Sequence, residues 1–167
     1  MTTKSTDFKE TMTRELNDFI QSQARALSLA DLDRLIIDLP ALRERFAKIH
    51  VQTYPYLADQ LQFLSRVLED QVVQDTTAIM VREAAFALLY FQRATDLIPD
   101  SIPGLGLLDD AMMVHIVLGR HEHAFKSSSH GYKPSWAAPN FDVDQLLSVV
   151  SPLRLTSFYL SMATQLR

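Results

Sequence analysis

Four aspartates, Asp96, Asp100, Asp109 and Asp110, fall within fifteen residues that contain no lysine or arginine. Carboxylates at that density can hold Mg2+ or Ca2+, since both cations take hard oxygen ligands and would neutralise the cluster. His115, about one and a half turns into the helix that follows, would add a nitrogen ligand or a general base. The spacing is not that of an EF-hand loop, and the same residues admit an architectural reading. Asp109 and Asp110 open a helix, where free amides and the positive dipole end favour carboxylates by about 0.3 to 1 kcal/mol. Asp96 is expected in the last turn of the preceding helix, where the dipole disfavours an anion, so it needs a specific partner. Turn amides, the amides opening the next helix, and Arg93, three residues away on the same predicted helical face, are the donors at hand for Asp96 and Asp100. In this favoured account the acidic turn is a latch and His115 a satisfied core histidine. A metal centre of Asp96, Asp100, Asp109 and Asp110 is the alternative.

The segment joining these aspartates mixes two habits. Pro99, Pro103, Gly104 and Gly106 specify a defined bend, while Leu97, Ile98, Ile102, Leu105, Leu107 and Leu108 call for burial, which predicts a turn packed into the fold. Other constellations are weaker. Arg120-His121-Glu122-His123 places its histidines two apart, on nearly opposite helix faces, whereas a zincin needs them at i and i+4; a solvated polar face is expected. No nucleophile elbow, P-loop or dinucleotide fingerprint occurs, so no catalytic residue is assigned and a non-enzyme is favoured.

Asp96-Leu-Ile-Pro-Asp100, then Ile102-Pro103, Leu105-Gly106 and Leu108-Asp-Asp110, resembles the YkvA-like family, a widespread domain of unknown function. The resemblance spans about residues 84–120 and includes Tyr90, six residues before the first aspartate. It implies a helical hairpin closed by the acidic turn, and brings no established reaction. Ala94 stands where relatives often carry proline, Arg93 where they tend to be small or apolar, and Ser101 where they are often bulky and apolar. Many relatives are hydrophobic enough to be described as membrane proteins; Arg93 and the aspartates argue against that inheritance here.

Positioning these residues falls to helices. Apolar side chains recur at helical spacing almost throughout, with no sustained alternation of period two, so the expected fold is all-α: six to eight helices around a central antiparallel hairpin with a packed acidic Pro/Gly turn. A first helix over about Thr6 to Ala26 carries Phe8, Met12, Leu16, Phe19 and Ile20 on one stripe. Ser28 and Asp31 form a capping box for a second, Leu29 to Asp38, and Pro40 occupies the first turn of a third, Ala41 to His50. A fourth runs from Leu57 to about Gln71. The fifth, Thr76 to Leu97, is apolar nearly all round and therefore central, with Phe86, Tyr90 and Phe91 as core. The sixth, Leu108 to Lys126, buries Met112 and Met113. Residues 127–139 read as a loop, either a surface connection or a lid. Two short helices follow, the first capped by Asp142 and the last carrying Phe158 and Tyr159.

A chain of 167 residues with 47% hydrophobic and 22% charged residues suits one folded domain over 1–167. A net charge of -4 removes the basic surface that sequence-independent nucleic-acid binding needs. The absence of cysteine excludes disulfides and thiolate chemistry. The amino-terminal residues lack an apolar signal region, and the apolar runs are cut by Arg82, Arg93, Asp109, Asp110 and Arg154, so no membrane span is expected. The expectation is a cytoplasmic, non-catalytic interaction or scaffold module without a cofactor, docking a protein partner or a second copy through amphipathic outer helices. Peripheral membrane contact is an open variant of it.

Overall fold

The computed structural model describes residues 2–52, 54–72, 78–93, 107–128 and 130–137, with the side chains of residues 2–9, 11–13, 72, 108 and 109 left aside. Within these residues the chain is helical, without strands: α1 (Thr2–Ala26), α2 (Leu29–Phe46), α3 (Leu57–Val72), α4 (Ile79–Gln92), α5 (Leu108–Arg120), α6 (Glu122–Ser127) and a 3-10 turn, Pro134–Ala137.

α4 is the hub. Val81 and every residue from Glu83 to Phe91 are buried, and the helix packs against α1, α2, α3 and α5. A helix apolar around its circumference can only be satisfied in the interior. α1 offers it Leu16, Phe19 and Ile20, with Phe19 edge-on to Phe86 at 5.7 Å. Met112, Met113, Val114 and Val117 of α5 complete the packing. Among the described residues no helix is long and apolar enough to cross a membrane.

Two predicted helices prove to be one. α2 runs through Pro40, which removes an amide donor and clashes with the carbonyl four residues back, at a cost of about 3 kcal/mol. Leu32, Leu35, Leu39, Leu42 and Phe46 nevertheless form one buried stripe across it. Burying a Leu or Phe side chain contributes about 1.5 to 3 kcal/mol each, so Leu42 and Phe46 alone offset the proline. Pro40 itself faces solvent. The Ser28–Asp31 capping box is present in both directions, at 2.8 and 3.1 Å.

The opposite correction applies further along. The expected helix from Leu108 to Lys126 breaks at His121 into α5 and α6. α4 ends at Gln92, well short of Leu97, with Arg93 extended at φ -81°, ψ 138°. Arg45 supplies the reason for that stop: its guanidinium donates to the carbonyls of Phe91 and Gln92, both at 3.3 Å, and lies 4.8 Å over the Phe91 ring. Arg82 closes α1 in the same manner, donating to the carbonyl of Leu27 at 2.6 Å and of Ala24 at 3.4 Å. Guanidinium groups at helix C-termini satisfy the last carbonyls and oppose the negative end of the dipole.

The segment read as a surface loop or lid is anchored instead. Trp136 is buried against Phe63 and Tyr132, with ring centroids 5.4 Å away in both cases. His130 pairs with Asp70 at 2.9 Å and Lys133 with Asp59 at 3.5 Å, fastening the segment to α3. Gly131 makes the entry turn at φ 91°, a conformation that disfavours any side chain. The two helices expected after residue 140 lie outside the described residues.

Candidate functional site

Among the described residues a charged cluster forms around Glu83, which the sequence had not picked out. Glu83, one turn into α4, is 0% exposed, and both carboxylate oxygens are occupied. Arg120, the last residue of α5, brings Nε within 3.2 Å of each oxygen and Nη2 within 3.0 Å of Oε1. His121, at the break between α5 and α6, places Nε2 against Oε2. The imidazole is held from behind by Phe125, edge-on at 6.1 Å. A helix continuing through residue 121 would carry Arg120 and His121 to different faces; the break lets both turn toward one carboxylate.

Burial pushes the Glu83 carboxyl toward protonation, but hydrogen bonds from His121 and Arg120, together with their charges, outweigh it and hold the group below its ordinary value. The carboxylate is thus ionised, desolvated and supplied with donors by its own chain. A His–carboxylate pair is also the orienting half of a catalytic triad, and such a triad needs a nucleophile at the histidine. The hydroxyls of Ser22, Ser65, Ser127 and Ser128 instead donate to the carbonyls of Phe19, Gln62, His123 and Phe125. None of these four is activated by His121.

The polar face expected for residues 120–123 is therefore corrected. His123 is exposed, whereas Arg120 and His121 turn inward to Glu83, and Glu122 pairs with Lys126 at 3.0 Å and accepts from the Tyr132 hydroxyl at 3.5 Å. Glu83 itself directly precedes the apolar run 84–91 that sequence reading takes as core. Its one signal was a carboxylate at a position where helical periodicity demands burial.

Of the residues picked out in the sequence, Asp96 and Asp100 lie outside the described residues, as does the side chain of Asp109. Asp110 occupies the first turn of α5, as expected, and is only 3% exposed. His115 follows about one and a half turns later, roughly 140° around the axis, half-buried; burial pushes its pKa below the ordinary value. Arg93 has left α4, so the helical face it was expected to share with Asp96 ends before it. Its side chain lines a cleft of about 450 Å³ between α2 and the end of α4, together with Asp31, Arg34, Asp38 and Gln92. Among the described residues no three His, Asp or Glu side chains gather as a metal site.

Residues 82–116 match the model of a family described as a protein of unknown function (DUF1232). The match takes in 35 of the 167 residues. It begins at Arg82 and Glu83, crosses the acidic segment and stops within α5, so Glu83 lies inside it while Arg120 and His121 lie beyond. No curated protein and no solved structure matches the chain.

Proposed function

We propose that the chain is a non-catalytic helical interaction module, built on an antiparallel hairpin of α4 and α5 whose acidic connection is closed by the chain's own donors. The observation that carries this reading is the saturation of Glu83: the described buried ion pair is consumed in tying the start of α4 to the end of α5. That tie is what an antiparallel pair requires at its open end. At the other end Asp109 and Asp110 lie in the first turn of α5, where free amides and the dipole favour carboxylates. Arg93 lines the cleft against α2.

The surface offered to a partner is the outer side of α2. Leu29 and Ile37 are 58% and 76% exposed, and Pro40 and Ala41 are exposed on the same face, which also carries Asp33 and Glu44. An outer helix with this composition docks a helix of another chain or a second copy of itself. A peripheral contact with a lipid surface is the remaining form of the same reading.

Sedimentation of the wild-type chain beside a Leu29→Glu/Ile37→Glu variant tests the module directly. Self-association or partner capture in the wild type, lost in the folded variant, is expected. A strictly monomeric wild type that retains neither protein nor vesicles removes the reading. Calorimetry with Mg2+ and Ca2+ on wild type and on Asp96→Asn/Asp100→Asn addresses the metal alternative built from Asp96, Asp100, Asp109 and Asp110. Binding heats present only in the wild type would replace the module by a metal-dependent protein.

A further inference from the structure

The cleft between α2 and the end of α4 has a composition that architecture does not use up. Its volume, about 450 Å³, is that of a small-molecule site, and Leu35 and Leu89, both buried, lie beneath its polar lining. Arg34 stands three residues after Asp31 and four before Asp38, spacings at which opposite charges on one helix commonly pair. Here they do not. Asp31 accepts from the Ser28 backbone N–H at 2.8 Å and Asp38 from Gln92 Nε2 at 2.9 Å, each through one oxygen. Neither Arg34 nor Arg93 makes an ion pair or a side-chain hydrogen bond among the described residues. Two arginines and two aspartates thus line one cleft without an ion pair between them.

We infer that this cleft binds a free α-amino acid, its carboxylate on Arg34 and Arg93 and its ammonium on Asp38. Each charge of the ligand answers a group on the wall. The planar guanidinium matches a carboxylate in two-point geometry. The Asp38 oxygen left free by Gln92 has acceptor capacity for an ammonium. A ligand bearing both charges leaves the balanced cleft balanced, whereas a plain anion or a plain amine adds an uncompensated charge. The inference goes beyond the interaction-module reading and uses neither Glu83 nor the outer face of α2, so either can fail without the other.

Isothermal titration of the full chain with L-leucine, L-methionine and L-phenylalanine tests it, with 4-methylpentanoate and 3-methylbutylamine as the single-charge counterparts of leucine. At least one amino acid is expected to bind, with each single-charge analogue about tenfold weaker or more. Arg34→Gln and Asp38→Asn should each weaken the amino acid by about ten- to a hundredfold, the range for a hydrogen bond to a charged group. Arg34 is exposed, so its variant retains the fold, and circular dichroism verifies this for both. Absence of heat with all three amino acids overturns the inference. Equal binding of 4-methylpentanoate, or an affinity unchanged in Arg34→Gln, does so as well.

Discussion

Replacing Glu83 by glutamine keeps the shape of the side chain and removes the charge that Arg120 and His121 surround. Hydrogen bonds to charged groups contribute about 1.5 to 3 kcal/mol, and a loss of that size in urea unfolding is expected for Glu83→Gln. Arg120→Ala should cost more, about 3 kcal/mol or above, because it strands a buried carboxylate with two of its three donor nitrogens gone. A double variant recovering part of that loss would identify the stranded charge as the cause. The sign of the pH dependence follows from the folded pKa of Glu83, which lies below its ordinary 4.5. Stability from the cluster is complete above that value and is lost as the pH falls through the folded pKa. His115 acts in a higher window. Its folded pKa lies below 6.5, so under that pH the unfolded chain binds a proton that the folded chain refuses, and stability declines as the medium acidifies. His115→Gln should flatten this upper part of the profile when the urea midpoint is followed against pH.

The helices themselves were legible wherever the signal was local. The Ser28–Asp31 box announced the start of α2, and the apolar circumference of residues 84–91 announced the central helix. Boundaries set by distant residues could not be read. Where α4 stops, Arg45, 47 residues away in sequence, takes its last carbonyls. α5 breaks at His121 because Glu83, 38 residues away, draws the ring inward. Trp136 looked like loop composition because its partners Phe63 and Tyr132 gather only in three dimensions. Pro40 misled in the other direction, since a proline inside a helix is unfavourable until the stripe it interrupts is worth more than the interruption. Pro40→Ala restores the missing amide donor and should stabilise the protein by about 1 to 2 kcal/mol, less than the full helix-interior difference because α2 is already fitted around the ring. Gly131→Ala should do the reverse by about 1 to 2 kcal/mol. The space around Gly131 is open, so the cost is the positive φ alone. Thermal melts of both variants read these differences.

At the scale of the whole molecule, the described charged groups divide into those that close the fold and those that face outward. Arg45, Arg82, Arg120 and His121 belong to the first set, each placed on carbonyls or on a carboxylate of another element. The acidic turn that dominated the sequence lies between α4 and α5, the two helices that the Glu83 cluster ties at their other ends. The described residues add a triad assembled from α4 and the end of α5, Glu83 with Arg120 and His121. The fold class was readable because amphipathic periodicity is dense. The triad was not, because a single buried carboxylate gives no spacing pattern. The central claim is that this carboxylate belongs to architecture, ionised and satisfied by its own chain. The most direct test is a carbon-13 titration of the Glu83 carboxyl, run with and without Mg2+ and Ca2+. The account predicts a midpoint below 4.5 that the cations leave in place; a midpoint at or above that value, or a resonance that moves when either cation is added, would contradict it.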